Sequence, residues 1–474
     1  METKNKTDTI PRRGFLGTAA AAVAGLAVGA VGGYFAGSTS APVGPAAATV
    51  TTTITPTPKT ALPEKTEIVF GNSDSLTGGL ADVAGDQERG MNLWLDQCNA
   101  VGGIMVAEYG KRLPVKRVVY DDRGIPDEAV KLYEKLITVD NVDCLTYSYG
   151  TWMTAVQPVV EKYKHPMIAG TSLDVEELKT NYIFFISART GTHAFALADL
   201  MDQTSTTTAA VLQLDAEFGV EYWKYLEPEF KSKGVEVVHH STHPLEVTDM
   251  TSDLVDVKRL VADGKCGAVL LLGYPPDHIV FQRQLIELGI NPGIVYGAFN
   301  VFAPSSIGMF GWDNMNGMCG FGEVFLPKTK WQGIYCRSDE WFQQFVKKYG
   351  RWPDYSQSLQ NYRALECHTQ AIERAGTLDR EAIRKELASG RAFVTVNGGA
   401  QFLDPPDRAK WSKSPGPNGI NNINMHPVGG QGVVDQWQLK PDAKPDDNWL
   451  AAEVVAPRSF ATARPLYPKT QWKR

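Results

Sequence analysis

The chain has 474 residues, of which 43% are hydrophobic and 21% are charged, so it can build more than one globular core. A net charge of -6 leaves no basic excess, so the bulk electrostatics do not favour a nucleic-acid partner. The six cysteines show no CxxC spacing and support neither a zinc site nor a redox motif, which leaves buried free thiols and disulfides as alternatives.

The N-terminal segment, residues 1–41, resembles a twin-arginine export signal. Arg12 and Arg13 directly precede an apolar run, rich in alanine and glycine, that reaches about Gly37. Such a run, about 20 residues long, also suits a membrane anchor, although its weak hydrophobicity favours export. Retention as an anchor is the alternative, because the small-residue cleavage sites do not match a clean A-x-A pattern. The first cysteine is Cys98, which argues against a lipid anchor.

A Thr/Pro-rich stretch, residues 42–65, predicts an extended linker. Beyond it, short apolar strands alternate with helical stretches, a pattern typical of a parallel sheet covered by helices. This alternation predicts a first lobe over residues 66–187. Its expected strands are 68–71, 115–120, 144–147 and 166–169, and its expected helices are 86–99, 126–138 and 154–162.

A second alternating series predicts another doubly wound lobe over residues 188–320. Its expected strands are 209–214, 235–239, 268–272 and 294–296, and its expected helices are 192–201, 222–233, 251–262 and 277–288. Two later helices, 341–349 and 360–375, have no strands of their own, so residues 321–400 are expected to return to the first lobe. Residues 401–440 are expected to return towards the second lobe, and residues 441–474 to form an irregular tail.

The most specific pattern lies at the opening of the first lobe. The segment 75–81 is SLTGGLA, Gly85 and Gly90 follow, and the segment 99–104 is NAVGGI. Shorter motifs agree in order: YDD at 120–122, VQPV at 156–159, HPMI at 165–168 and DAEFG at 215–219. Over roughly residues 66–439 the chain therefore resembles the Leu/Ile/Val-binding family of type I periplasmic binding proteins.

The resemblance implies an α/β fold of two doubly wound parallel-sheet lobes, joined by a multi-strand hinge, with the ligand in the cleft. It also implies the extracytoplasmic solute-binding component of an ABC importer, which closes around a branched-chain-type amino acid or a related small organic solute. Uptake of an amide, urea or aromatic acid by the same mechanism is one alternative, and an extracellular ligand sensor is another.

The implied partners are the small-molecule ligand and the membrane subunits of the importer. We expect a monomer with no cofactor and no nucleic-acid partner. The expected location is periplasmic or at the cell surface, with a tether if the N-terminal segment is not cleaved.

Ligands of open parallel sheets bind beyond the carboxyl ends of the strands. The turn after the third predicted strand is polar and opens a helix, so its hydroxyls and free N–H groups are candidates for binding a carboxylate or carbonyl oxygen. Ordinary N-capping is the structural alternative. The candidates in this turn are Ser148, Tyr149, Thr151, Trp152 and Thr154, and those after the next strand are Thr171 and Ser172.

In the second lobe, the resemblance places Phe218 and Tyr274 at aromatic ligand contacts, with core packing as the alternative. Amino-acid binders of the family usually supply a carboxylate for the ligand's ammonium, but Phe299 stands at the corresponding strand end here. Asp277 or Asp215 is expected to serve instead, because a buried ammonium without a partner is very costly. The same aromatic residues also suit an amide or an aromatic acid.

Enzymatic interpretations have little support, and we predict a protein that is not an enzyme and holds no metal. Asp121 and Asp122 are adjacent on a strand and point to opposite faces, so they are not expected to share a substrate. His239, His240 and His243 are expected just past a strand end, as solvated surface residues. The sequence has neither a nucleophile-elbow motif nor a phosphate-binding P-loop.

Overall fold

The computed structural model describes residues 64–147, 152–170, 180–187, 190–245, 247–298, 304–322, 330–354, 357–400, 402, 433–438, 452–459 and 461–473. All of them lie in one unit, residues 63–474. The predicted export signal and nearly all of the predicted linker fall outside the described residues.

The first lobe is organised around a parallel sheet. In chain order its elements are β1 (Ile68–Asp74), α1 (Ala81–Ala100), β2 (Ile104–Val106), β3 (Lys111–Leu113), β4 (Val115–Asp121), α2 (Pro126–Thr138), β5 (Cys144–Tyr147), α3 (Met153–Lys162), β6 (Met167–Ala169) and β7 (Ile183–Phe185). Five strands form the sheet in the order β4-β1-β5-β6-β7, and all neighbours are parallel. β2 and β3 form a separate antiparallel pair.

The second lobe repeats the alternation. Its elements are α4 (Thr190–Gln203), β8 (Thr208–Leu214), α5 (Glu217–Lys233), β9 (Glu236–His243), α6 (Thr251–Ala262), β10 (Ala268–Leu272), α7 (Pro275–Leu288), β11 (Ile294–Gly297), α8 (Pro304–Phe310), α9 (Trp312–Met315) and β12 (Cys319–Gly322). The five strands pair in parallel, in the order β12-β11-β10-β8-β9.

The remaining elements return to one or the other lobe. They are α10 (Ser338–Tyr349), α11 (Gln357–Ala375), α12 (Arg380–Leu387), β13 (Phe393–Thr395), β14 (Gly398–Ala400), β15 (Val433–Trp437) and β16 (Ala452–Ala456). Helices α10 and α11 pack against α1 of the first lobe. β15 joins the second sheet beside β12, and β16 joins beside β15, both in antiparallel pairing.

The contact between α1 and α11 depends on a glycine. A Cβ atom placed on Gly90 would lie 2.0 Å from the carbonyl oxygen of Ser358 in α11. Since no real Cβ tolerates that distance, the two helices approach this closely only because residue 90 has no side chain. The glycine of the opening motif therefore fixes how the later helices return to the first lobe.

The prediction of an irregular tail over residues 441–474 is wrong for β16. All five residues of this strand are buried, and they extend the second sheet beyond β15. A strand buried on both faces shows no alternation of polar and apolar residues, so its sequence lacks the usual strand pattern. The following segment packs on the same lobe, where the Trp472 indole N–H donates to the Ile290 carbonyl at 2.6 Å.

All six cysteines are buried free thiols. The structure therefore decides between the two alternatives left by the sequence. Burial raises the pKa of Cys98 to about 11 and that of Cys319 to about 12, which keeps both groups in the unreactive thiol form.

Candidate functional site

The carboxyl ends of the parallel strands define the candidate site. In the first lobe β1, β4, β5 and β6 end at Asp74, Asp121, Tyr147 and Ala169. In the second lobe β8, β10 and β11 end at Leu214, Leu272 and Gly297. Helices that follow these strands begin at the same edges, so their N-terminal turns carry the side chains that are candidates for binding a ligand.

Two carboxylates at the end of β4 are held by separate partners. Asp122 is buried and accepts hydrogen bonds from the hydroxyls of Ser73 and Ser75, at 2.8 and 2.7 Å. Asp121 accepts a hydrogen bond from the Thr77 hydroxyl at 2.7 Å. Burial opposes ionisation of Asp121, but hydrogen bonds from Thr77 and Arg123 outweigh it and lower its pKa. Each carboxylate thus has its own donors, rather than sharing a site with its neighbour.

Thr154 makes a contact that crosses from one lobe to the other. It is an exposed residue in the first turn of α3, in the first lobe. Its hydroxyl donates to the Oε1 atom of Glu217, in the first turn of α5 in the second lobe. Burial raises the pKa of Glu217, although the hydrogen bond from Thr154 acts in the opposite direction. This carboxylate was not among the predicted site residues.

Phe218 and Tyr274 lie together at the ends of neighbouring strands of the second lobe. Their rings stack with centroids 5.5 Å apart and an interplanar angle of 23°. The Phe218 ring also makes edge-to-face contacts with Tyr222 and Phe321, with ring centroids 5.7 and 6.4 Å apart. The side chains are mostly buried, with 6% of Phe218 and 3% of Tyr274 exposed, so they form a continuous aromatic surface packed on the core.

Apolar residues of the first lobe join this aromatic surface. Leu80 and Val83, at the start of α1, belong to the same cluster of buried residues as Phe218 and Tyr274. Both are almost fully buried, at 4% and 2% exposure. The facing edges of the two lobes therefore touch through an apolar contact as well as through the Thr154–Glu217 hydrogen bond.

The two carboxylates predicted to bind an ammonium have different environments. Asp277 is fully buried and its Oδ2 atom accepts the backbone N–H of Tyr274 at 2.9 Å, which caps the N-terminus of α7. Asp215 is exposed at the end of β8, where its backbone N–H donates to the His243 carbonyl at 2.8 Å. The structure thus gives Asp277 a capping contact and leaves Asp215 in solvent.

Trp152 immediately precedes α3 and is half-buried. Its backbone N–H donates to the Tyr147 hydroxyl oxygen at 3.0 Å, which ties the start of the helix to the end of β5. Its indole Nε1 atom is buried without a hydrogen-bond partner among the described residues. The other predicted site residues, Ser148, Tyr149, Thr151, Thr171, Ser172 and Phe299, lie outside the described residues.

The expected position of the three histidines is wrong. His239, His240 and His243 lie within β9, which extends to residue 243, rather than past its end. His240 packs on the Trp223 ring with centroids 4.3 Å apart, and its Nε2 atom is 2.9 Å from the Gln213 side-chain oxygen. The strand continues beyond the predicted boundary because it pairs with β8 along its whole length.

A family model described as periplasmic binding protein matches residues 67–411. The chain belongs to this family. Among its relatives, the Leu/Ile/Val-binding protein homolog 7 of Brucella suis is 22% identical over 345 residues, a match that covers 69% of this chain and 82% of the relative.

Solved structures of the family share the fold. The branched-chain amino acid transporter substrate binding protein LivJ from Streptococcus pneumoniae, in complex with isoleucine, has a TM-score of 0.65 and 17% identity, covering 82% of this chain and 100% of that one. A solute binding protein of an ABC transporter from Rhodopseudomonas palustris, in complex with 3,4-dihydroxy benzoic acid, has a TM-score of 0.63 and 17% identity. The match covers 86% of this chain and 97% of that one.

These matches confirm the predicted fold class and family. The prediction of a substrate-binding protein of the branched-chain amino acid ABC-transporter type is also confirmed. No helix in the described part of the chain combines the length and the apolar character needed to cross a membrane. Across the same residues, no group of three or more histidine, cysteine or acidic side chains is arranged to hold a metal ion.

Proposed function

We propose that this periplasmic binding protein captures a small organic solute outside the cytoplasmic membrane and delivers it to an ABC importer, without chemical conversion. The observation that carries the proposal is the direct contact between Thr154 of the first lobe and Glu217 of the second. Such a contact forms only when the facing edges of the lobes come together, and hinge closure around a ligand brings them together in this way.

The proposed solute is a branched-chain-type amino acid or a related small acid. The sequence just before α3 is rich in hydroxyl-bearing residues, and the second lobe offers the stacked rings of Phe218 and Tyr274. Hydroxyl and backbone N–H groups suit a carboxylate or carbonyl oxygen of the solute, and the stacked rings suit its apolar side chain. The aromatic surface also supports a second candidate, an aromatic acid, because a flat ring stacks well on Phe218 or Tyr274.

Identification of the bound solute tests this proposal. The protein is isolated from its native cells without denaturation and then unfolded, and the released small molecules are identified by mass spectrometry. We expect about one equivalent of a single small organic acid. Calorimetric titration of the stripped and refolded protein with isoleucine and 3,4-dihydroxybenzoate then gives the affinities. If no solute is released and neither compound binds, the proposed function is wrong.

The proposed route to the extracytoplasmic side is twin-arginine export. Arg12 and Arg13 precede the apolar run directly, and replacement of both by lysine is expected to leave the protein in the cytoplasm. Cell fractionation followed by immunodetection measures the distribution, and Lys4→Arg provides a control outside the arginine pair. Normal export of the double variant contradicts this assignment.

A further inference from the structure

A cavity in the second lobe lies apart from the strand ends that carry the candidate site. Its volume is about 910 Å³, which is within the usual range of small-molecule pockets. One wall consists of Gln203, Thr204 and Ser205, where α4 ends shortly before β8 begins, and the other consists of residues between 458 and 467, after β16. None of the described residues that line it is among the predicted site residues. The cavity is therefore a separate place for a ligand.

Hydrogen bonds fix both walls of this cavity. The Oδ2 atom of Asp199, in α4, accepts the Gln203 side chain at 2.7 Å and the Arg458 backbone N–H at 2.8 Å. Further along the second wall, the backbone N–H of Thr462 donates to the Val454 carbonyl of β16 at 2.8 Å. The walls are thus held against the lobe itself, and a preformed cavity lowers the entropic cost of binding.

Two arginines in the cavity have no acidic partner. Arg458 and Arg464 are both exposed, and neither forms an ion pair within the part of the chain that the structure describes. Other exposed arginines do find a partner: Arg259 and Arg391 lie 3.3 and 3.2 Å from a carboxylate oxygen. Because the chain as a whole carries a net charge of -6, two unpaired positive charges in one cavity are a local exception. They attract an anion to the cavity.

Uncharged donors line the same cavity. Ser205 is exposed, and its hydroxyl makes no hydrogen bond to another described residue. The two guanidinium groups each offer a planar fork of N–H donors. A carboxylate has two oxygens in one plane, whereas a phosphate monoester has three terminal oxygens in a tetrahedral arrangement and accepts hydrogen bonds from several directions. The combination of two forks and a hydroxyl therefore suits a phosphate monoester better than a carboxylate.

We propose that this cavity binds a phosphate monoester, with Arg458 and Arg464 contacting its terminal oxygens and Ser205 donating a further hydrogen bond. The ester belongs either to a small soluble molecule or to a lipid headgroup, since both present the same oxygens. The inference goes beyond the proposed function and does not depend on it, because the cavity and the candidate site share no described residue.

Calorimetric titration and vesicle sedimentation test the proposal. The soluble probes are glycerol 3-phosphate and succinate, in a phosphate-free buffer at a pH where both are dianions. The vesicles consist of phosphatidylcholine with or without phosphatidic acid. Each probe is offered to wild type, to a cavity variant that combines Arg458→Gln with Arg464→Gln, and to a control that combines Arg259→Gln with Arg391→Gln. The control removes the same two charges outside the cavity, and thermal unfolding confirms that each variant is folded.

We expect wild type to bind glycerol 3-phosphate about tenfold or more tightly than succinate. If the ester is soluble, both kinds of vesicle sediment the same small amount of protein. If it is a lipid headgroup, vesicles with phosphatidic acid sediment more protein, and glycerol 3-phosphate competes with them. In either case the cavity variant should bind the phosphate probe about tenfold or more weakly, and the control should change by less than about threefold.

Three results overturn the proposal. In the first, wild type binds neither glycerol 3-phosphate nor vesicles with phosphatidic acid. In the second, the cavity variant and the control weaken binding equally, which shows only a general attraction between positive charge and an anion. In the third, succinate binds as tightly as glycerol 3-phosphate, which makes the cavity a site for anions in general rather than for phosphate esters.

Discussion

At the scale of single residues, the two lobes are coupled by one threonine and one glutamate that lie 63 positions apart. Thr154 was among the expected site residues because its turn is polar and opens a helix after the end of a strand. Glu217 was missed, because a glutamate at the start of a helix is common and its sequence gives no sign of a partner in the other lobe. Only the folded arrangement brings the two side chains together.

Thr154→Val tests this coupling. Valine keeps the branched shape of the side chain but removes the hydroxyl that donates to Glu217. A hydrogen bond to a charged group contributes about 1.5 to 3 kcal/mol, and exposure of Thr154 to solvent reduces that value. We expect solute affinity to fall about threefold to tenfold. Calorimetric titration measures it, with Thr154→Ser as the control that retains the hydroxyl and near-normal affinity. Equal affinities for all three proteins would contradict the coupling.

At the scale of elements, close approach of α1 and α11 determines how the later helices attach to the first lobe. Gly90 and Gly85 lie in the same helix but face different surroundings. A Cβ on Gly90 meets the Ser358 carbonyl oxygen at 2.0 Å, whereas the nearest atom to a Cβ on Gly85 is the end of the Arg89 side chain at 3.6 Å.

Substitution of these two glycines by alanine is therefore expected to have opposite effects on stability. Gly90→Ala forces the helices apart and should lower the free energy of unfolding by about 1 to 3 kcal/mol, the usual cost of overpacking. Gly85→Ala adds a methyl group at ordinary van der Waals distance from the Arg89 side chain and should raise stability by up to about 1 kcal/mol through its helix propensity. Urea unfolding followed by circular dichroism measures both. Equal effects of the two substitutions would show that the interhelical contact is not this close.

Most elements could be predicted because strand and helix alternate with clear boundaries. Helices α2 and α6 and strands β5 and β10 have the predicted limits. α5 begins five residues earlier than predicted, at Glu217 rather than Tyr222. A Cβ on Gly219 would lie 2.2 Å from the Leu214 carbonyl oxygen, so the lack of a side chain at this position allows the start of the helix to pack closely against the end of β8.

The antiparallel strands of the second sheet could not be predicted from local pattern. β12 pairs with β15 more than one hundred residues later, with Cys319 opposite Gln436. A pairing of this kind depends on which sheet edge is open after the lobe has formed, and no turn between the strands signals it. The positions of β15 and β16 thus follow from the tertiary structure rather than from their own sequences.

At the scale of the whole molecule, buried histidines make stability depend on pH. Burial lowers the pKa of His165 and His278 to about 4 and that of His368 to about 3. In the unfolded chain these groups titrate near pH 6.5, so below that pH the unfolded state binds protons that the folded state does not.

The free energy of unfolding should therefore fall as the pH is lowered from about 6.5 towards 4, by up to about 1.4 kcal/mol per pH unit for each such histidine. Guanidinium unfolding at pH 7.5, 6.5 and 5.5 measures the slope. His278→Gln should reduce it, because glutamine carries no titrating group in the place where His278 now lies beside Gln282. A stability that is constant over this range would contradict burial of these rings in neutral form.

We propose that the two lobes close around a small solute. Small-angle X-ray scattering of the exported protein, first stripped of ligand and then saturated with the solute that it releases on unfolding, tests this claim most directly. We predict a smaller radius of gyration with ligand and a scattering mass of one chain in both states. Identical dimensions with and without saturating ligand would contradict closure.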